Sequence, residues 1–538
     1  MSISHPHWRL PFFLIALWLV EAALLLLPGH LAITGHEVDV LHAAEAAIRL
    51  SLGQTQHIDF LTPLGVLAFS PISLFLSLGF GISTANMAAN LLIALCFIPV
   101  LSWVALRRMG GKMAFFFAGL TLIMITGVVY GGDQATVSMS MYYNRWGWAA
   151  VFVIVVLLLF PDQGDRPAPL RDGVILGAML GFLLLLKATF FITLAPVVLL
   201  VCLIDKAFRP LVAAILTGLI ICGVATLAFG GIPFWAAYVS DMLFVSGSEV
   251  RPRPGKEIGE LLSLPAFLPG SIILLASIMG LRSSGSMRDG LVLFLLAPAF
   301  VYITYQNWGN DAKWLLLLGF GALLWARESA GLEVYGYPRQ TYFNIVAASA
   351  LALIAPSFIN LSTSPIRNMI ASDDDYISVM KDPLHAGLII ERERSFVADA
   401  MVRVDGVVDP SKGEEDKEDE TLHLSGFKVP RCNLKTGYYG LMRQMGAEYA
   451  ASDYGDLPFA YVDVANPLPL IADVKRLDYA SPWYYGGTRD AAGAEHLLVP
   501  KCPISEPTFK VYLDALNASE DRWDLVDTQE FAWVFKRR

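Results

Sequence analysis

Residues 62–80 read TPLGVLAFSPISLFLSLGF, and whether this run crosses a membrane decides the topology of the whole chain. A second apolar run, 84–106, follows it and ends at Arg107-Arg108-Met109-Gly110-Gly111-Lys112. If both runs crossed, that basic cluster would stand on the same side as the preceding loop with His36 and Asp39, and every later Lys/Arg loop would invert with it. Counting 62–80 instead as a segment lying along the interface puts Arg107, Arg108 and Lys112 inside. Arg166/Arg171, Lys206/Arg209, Arg282/Arg288 and Arg327/Arg339 then fall inside too, as the positive-inside bias requires. Pro63, Pro71 and the pair Gly79/Gly81 also suit a short, broken, surface-lying segment better than a clean span.

Composition supports a membrane reading. Of 538 residues, 55% are hydrophobic and only 16% are charged, and the mean hydropathy is +0.54; soluble domains carry about 25% charge. A soluble globule is excluded. Charges are sparse up to about residue 360 and dense beyond it, which divides the chain into a membrane part, 1–360, and a soluble part of ordinary domain size, 361–538. Much of the net charge of −9 comes from Glu414-Glu415-Asp416 and Glu418-Asp419-Glu420, which read as a solvated loop. The first apolar run, 10–28, is too long for a signal-peptide core, carries Glu21 and lacks a small-residue cleavage site, so it reads as a retained span. The remaining spans are expected near 84–106, 113–130, 147–161, 172–187, 188–204, 210–229, 267–281, 290–306, 313–327 and 341–360, about eleven in all. The fold class is thus a multi-spanning α-helical membrane protein with a C-terminal α/β soluble domain. The N-terminus is expected in the cytoplasm and the C-terminal domain outside. The apolar run through Lys187 exceeds one span, which makes it a helical hairpin with Lys187 at its outer tip.

The same parity places Arg49, Asp133, Arg145, Lys187, Arg251, Arg253, Lys256, Asp311 and Lys313 on the outer side. Any one outward cation is tolerated by a bias that is only statistical. Together they suggest reception of an anion such as a phosphate. The first outer loop, 29–83, opens with Gly35-His36-Glu37-Val38-Asp39-Val40-Leu41-His42, costly groups directly after an apolar run. If 37–52 is helical, Asp39, His42, Glu45 and Arg49 form one polar stripe beside Leu41, Ala44, Ile48 and Leu52. Such a helix either turns its stripe toward a cavity or merely solvates it. Asp39 with His42, and Asp133, could also hold a divalent metal ion, although no HExxH motif is present.

The loop Tyr142-Tyr143-Asn144-Arg145-Trp146-Gly147-Trp148 mixes aromatics, an amide and a cation as sugar-binding surfaces do, and as interfacial belts do also. Val250-Arg251-Pro252-Arg253-Pro254-Gly255-Lys256 is too Pro/Gly-rich for a helix and too long for a simple turn, and reads as a mobile outer loop that orders when a ligand binds. In the soluble part, helices are expected at 396–404 and 509–516 and strands at 459–464, 496–499 and 533–535. Cys96, Cys202 and Cys222 lie in spans, whereas Cys432 and Cys502 are a disulfide candidate in an oxidising compartment. No Gly-rich phosphate loop or Ser/His/Asp set is evident there, and docking or support rather than catalysis is its expected role.

The order of a first span, an Asp in a short amphipathic helix, the stretch Gly53-Gln54-Thr55-Gln56-His57-Ile58-Asp59-Phe60-Leu61-Thr62-Pro63-Leu64-Gly65, an apolar surface helix ending near Gly79 and a span ending in Arg107-Arg108 resembles the GT-C superfamily. These are membrane glycosyltransferases that use polyprenyl-phosphate sugars, such as protein O-mannosyltransferases and lipid A aminoarabinose transferases. The resemblance covers about residues 8–200, and the later spans by general architecture. It implies a GT-C-like fold whose first outer loop holds two juxtamembrane helices and an acidic catalytic residue. Asp39 best matches that acid, with Glu37 competing because the family often shows an Asp-Glu pair where this chain has Glu-Val-Asp. Asp133 matches a second acidic position and Lys187 a basic residue between two outer span ends.

Under this reading an inverting transfer uses Asp39 or Glu37 as base and Lys187, Arg251, Arg253 and Arg145 on the donor phosphate. Asp133, His42, Asp59 and Tyr143 are the expected substrate-side residues. The implied partners are a polyprenyl-phosphate sugar, a cell-envelope glycan, lipid or protein acceptor, and membrane lipids, with no nucleic acid. The implied location is a bacterial inner membrane with a periplasmic C-terminal domain. Two other classes stay open at this level, a flippase for lipid-linked saccharides and a noncatalytic envelope-assembly protein. The former is disfavoured by the lack of an internal repeat.

Overall fold

The computed structural model describes residues 8–130, 135–164, 166–250, 259, 262, 264, 267–306, 312–327, 332–371, 373–396, 422–429 and 437–538. From the N-terminus these form α1 (Arg9–Leu26), β1 (Leu31–Ile33), α2 (Glu37–Ser51), α3 (Ser70–Ser77), α4 (Ile82–Arg108), α5 (Gly111–Thr126), α6 (Tyr142–Leu159), α7 (Pro169–Leu186), α8 (Ala188–Ile204), α9 (Phe208–Ala228) and α10 (Ile232–Ser246). Then come α11 (Phe267–Ser283), α12 (Met287–Gln306), α13 (Trp314–Arg327), a small hairpin of β2 (Glu333–Val334) and β3 (Tyr337–Pro338), and α14 (Arg339–Met369). Among the described residues seven of these helices are long and apolar enough to cross a membrane, and five more are apolar but shorter. Helices thus stand at every position expected for a span. The apolar helix α10 is an addition that the sequence reading did not include.

The run 62–80 holds a one-turn 3-10 helix, Val66–Ala68, and then α3, which has only eight residues. At 1.5 Å per residue α3 extends about 12 Å, far short of the roughly 30 Å of a bilayer core. Pro71 sits in its first turn, where a missing N–H costs nothing.

The contacts between helices fix which ends lie together. A Cβ on Gly173 would fall 2.3 Å from the Pro210 carbonyl oxygen, one on Gly177 2.3 Å from the Ala214 carbonyl oxygen, and one on Gly181 2.9 Å from Ile221 Cδ1. The three glycines, spaced by four, let α7 and α9 approach backbone to backbone, as small residues do between apolar helices. Because partner numbers rise together, α7 and α9 are parallel, and α8 between them runs back. The reversal is made at Lys187, a single extended residue with φ −161 and ψ 107 between two helices. At the opposite end Arg107 pairs with Asp162, Arg108 with Asp172 and Arg288 with Asp205. The Lys/Arg loops placed inside by the sequence reading therefore gather, for these contacts, at one end of the bundle.

Past α14 the chain forms β4 (Tyr376–Ser378), β5 (Leu388–Glu391), β6 (Leu422–Leu424), β7 (Phe427–Val429), α15 (Tyr438–Ala450), β8 (Phe459–Tyr461), β9 (His496–Pro500), α16 (Glu506–Ala518), β10 (Trp523–Thr528) and β11 (Ala532–Arg537). One sheet has the order β10-β11-β9-β8, with β8 parallel to β9 and the other pairs antiparallel. The helix expected at 509–516 is α16. It is capped by the Ser505 side chain, which accepts from Thr508 N, and it buries Phe509, Tyr512, Leu513 and Leu516. Of the helix expected at 396–404, Phe396 ends a short helix and 397–404 lie outside the described residues. Position 360/361 lies inside α14, and β1 of the first loop pairs in parallel with β5, Leu31 opposite Leu388. The two parts of the chain therefore share a sheet, β1-β5-β4.

Candidate active site

α2 starts from His36, which adopts a left-handed conformation (φ 62) and makes no side-chain capping bond. Glu37 and Asp39 occupy the first turn, where the exposed N–H groups and helix dipole favour negative charge. An alanine-rich face with Val40, Leu41, Ala44, Ala47 and Ile48 is buried. Glu37, Asp39 and His42 remain half-buried.

The expected stripe is divided in two. Glu45 and Arg49 are only 2% and 4% exposed. Glu45 accepts from Arg49 Nε at 2.8 Å and, from the C-terminal domain, from Arg476 Nε at 2.6 Å and Nη2 at 3.0 Å. Arg49 Nη2 also reaches the Leu477 carbonyl at 3.4 Å. The Arg49 guanidinium is held below its ordinary range, chiefly by burial. His42 lies edge-on to Phe69 at 6.1 Å and to Trp483 at 5.4 Å. The half of the stripe beyond His42 thus serves domain docking, and in the first turn Glu37 is itself near enough to Tyr438 of the C-terminal domain to add to burial and Asp463 in raising the pKa of its hydroxyl.

Two cations from the sequence reading are brought to this end. Arg145, in the first turn of α6, is 1% exposed; its Nη1 donates to the Val129 carbonyl, and Nε and Nη2 have no hydrogen-bond partner. Tyr130, the next residue after Val129, lies flat on the His36 ring with centroids 3.7 Å apart and planes 13° apart. Lys187 Nζ donates to Asn144 Oδ1 at 3.3 Å and sits 5.5 Å over the Tyr143 ring. The Tyr142 hydroxyl donates to the Ala68 carbonyl at 2.6 Å, and Gly65 N to the Leu186 carbonyl at 3.0 Å. A Cβ on Gly65 would fall 2.1 Å from the Leu185 oxygen, so only glycine lets the first loop approach the hairpin tip. A chain of contacts therefore runs from His36, at the head of α2, through Tyr130 and Val129 to Arg145, while Lys187 holds the neighbouring Asn144.

His36, His57 (φ 70) and Met141 (φ 59) are non-glycine residues in the left-handed region, and all three stand at this end. Each is held by its side chain: His36 by Tyr130, His57 by Asp241, and Met141 by Sδ accepting from Tyr143 and Asn144 at 3.2 Å each. Strained backbone of this kind is sustained where the surroundings over-determine it.

The sequence reading did not include the cluster around Asp241. This α10 carboxylate, 2% exposed, accepts from His57 Nδ1 at 3.0 Å, Thr62 N at 3.3 Å and Arg489 Nη1 at 3.2 Å. Burial lowers the His57 pKa against the pull of Asp241. Asp241 is the one charged residue in IPFWAAYVSDMLFVS, a signal that could have flagged it. Arg476 and Trp483 carry no comparable local signal.

Other expected residues fall elsewhere. Asp59 spends its carboxylate on Thr55 N at 2.5 Å, inside its own turn. The Tyr143 hydroxyl donates to Met141. Asp133, Arg251, Arg253, Lys256, Asp311 and Cys432 lie outside the described residues. Cys502 is disulfide-bonded, and Cys96, Cys202 and Cys222 are free. Among the described residues no group of three or more His, Cys, Asp or Glu side chains could hold a metal ion.

No family model matches this chain, and no curated protein matches it. Two solved structures are similar to it. One is the crystal structure of ArnT from Cupriavidus metallidurans in the apo state, at 12% identity over 97% of this chain and 96% of that chain, with a TM-score of 0.43. The other is ArnT from Cupriavidus metallidurans bound to undecaprenyl phosphate, at 12% identity over the same shares, with a TM-score of 0.42.

Proposed function

We propose that the chain is a GT-C-type glycosyltransferase that moves a sugar from a polyprenyl-phosphate-linked donor to a cell-envelope acceptor at the outer face of a bacterial inner membrane. What supports this reading is a line of contacts from His36, at the head of the helix that carries Glu37 and Asp39, through Tyr130 to the Val129 carbonyl that holds the buried, partly unpartnered guanidinium of Arg145, at the end of the bundle opposite the basic loops. Asp39 is the base: its carboxylate takes the proton of the acceptor hydroxyl as that oxygen attacks the anomeric carbon. The bond from the anomeric carbon to the phosphate oxygen breaks with inversion, and the lipid phosphate leaves with the electron pair. Arg145 and Lys187 stabilise the charge that develops on it. Glu37, two residues away, is the alternative base. The N-terminus is cytoplasmic and the C-terminal domain periplasmic in this scheme, with the lipid tail entering between spans.

The test is the full chain in lipid nanodiscs, supplied with synthetic polyprenyl-phosphate monosaccharides and an envelope extract as acceptor. Sugar transfer by the wild type and its loss in Asp39→Asn, with Glu37→Gln as the companion variant, is the expected result. Normal transfer by the Asp39→Asn, Glu37→Gln double variant overturns the mechanism.

A further inference from the structure

The left-handed His36 is not explained by the helix it precedes. Asparagine or glycine adopts that backbone more readily, and a capping residue would present an oxygen to the first N–H groups, yet His36 makes no such bond. What its side chain does make is a near-parallel stack on Tyr130.

Tyr130 directly follows two held residues, Val128 and Val129. Val128 N donates to Ser364 Oγ of α14 at 3.0 Å, and Ser138 N donates to the Val128 carbonyl at 2.9 Å. Across the segment, Thr34 N donates to the Val137 carbonyl at 3.1 Å and Val137 N to Thr34 Oγ1 at 2.9 Å. The backbone beneath Tyr130 is therefore tied both to the last helix of the bundle and to the first loop. The carbonyl immediately before Tyr130 is the one that holds Arg145 Nη1.

We infer that His36 is a positioning residue: its ring, flat on Tyr130, fixes the first turn of α2, with Glu37 and Asp39, against the segment that holds Arg145. The inference rests on the functional reading above and goes beyond it by naming what sets the spacing between base and phosphate-binding cation. Transfer between two bound substrates depends on that spacing, and a displacement of about 1 Å can cost on the order of a hundredfold in rate. The contribution of His36 is planar contact, so its proton is not used.

The experiment compares His36→Asn, which suits the left-handed backbone but lacks the stacking ring, with His36→Phe, which keeps an aromatic ring and cannot titrate. Tyr130→Ala and the His36→Asn, Tyr130→Ala double variant complete a cycle. In the full chain in nanodiscs, His36→Asn and Tyr130→Ala are each expected to lower kcat roughly 10- to 100-fold, with KM for the lipid-linked sugar within about threefold. The double variant is expected to be no worse than either single, because both remove one interaction. His36→Phe is expected within about threefold of wild type, with an unchanged kcat–pH profile. A His36→Phe variant as slow as His36→Asn, a shifted pH profile, or additive losses in the cycle overturn the inference. Absence of transfer by the wild type instead counts against the functional reading. The stack is then read by the same cycle in thermal unfolding, where zero coupling between positions 36 and 130 overturns it.

Discussion

The first turn of α2 and its second half carry similar residues and are used in opposite ways. Glu45 and Arg49 are sealed beneath the C-terminal domain, each charge answered by a partner at short range. Glu37 and Asp39 remain half-buried beside a segment whose neighbouring cation, Arg145, keeps guanidinium nitrogens without hydrogen-bond partners. A buried carboxylate saturated by two guanidiniums has no capacity left to take a proton from a substrate. The division teaches that residue type and helical spacing do not separate a docking charge from a chemical one; what packs on top of each does.

The largest effect in breaking this comparison is expected from Asp39→Asn. It should reduce kcat roughly a thousandfold, read as sugar transfer per folded protein, since a positioned base contributes about 10²–10⁴. Arg145→Gln should weaken binding of undecaprenyl phosphate, measured by titration in nanodiscs, about 10- to 100-fold, in line with about 1.5–3 kcal/mol for charge-assisted hydrogen bonds. The charge-keeping Arg145→Lys should lose less.

Arg476→Ala tests the docking half. It leaves Glu45 buried with Arg49 alone and should destabilise the fold by about 1–3 kcal/mol in thermal unfolding, with a smaller change in kcat than Asp39→Asn gives. A kcat loss equal to that of Asp39→Asn would erase the division between the two halves.

The smallest effect expected is on pH dependence. Burial pushes the Asp463 carboxyl up to about 7 and the Asp490 carboxyl up to about 6. Between the unfolded value near 4 and those folded values the native state binds more protons than the unfolded chain, so these groups make stability fall as pH rises through that window. His57, held below its ordinary range, acts in the other sense and lowers stability as pH drops through about 6.5. Asp463→Asn should therefore reduce the fall in unfolding temperature between pH 4 and 7, and an unaltered pH profile would count against a proton held by the buried carboxyl.

Much of the helical layout was legible because its signals are local. The 3.6-residue period over 37–52 and the prolines of 62–80 were enough to anticipate α2 and a broken segment. The surplus length around Lys187 was enough to anticipate the hairpin. The cation count across the loops anticipated which loop ends meet, at Arg107, Arg108 and Arg288. The joins across the chain were not legible. His57 and Asp241 are 184 residues apart, and Glu45 and Arg476 are 431 apart. No periodicity couples such distant residues, and a long-range ion pair leaves no mark on the sequence near either partner. β1 spans three residues, too few to show alternation, and its register was fixed by β5. The turn that Asp59 closes on Thr55 was not legible for a related reason: an acid near a proline-rich loop is as useful for closing a turn as for chemistry.

The parallel pairing of β1 with β5 has a consequence for how the protein is made. Asn368 bonds the main chain of His30 and Ala32 from 338 and 336 residues away, and β5 lies further still along the chain. At about 5–20 residues per second of synthesis, the strand leading into α2 waits roughly 20–70 s for its partners. Until the last span and the segment after it have emerged, α2 lacks its neighbouring strand, and the guanidiniums of Arg476 and Arg489 arrive later again. A nascent chain therefore completes this end of the bundle only after the helices that carry it have been made.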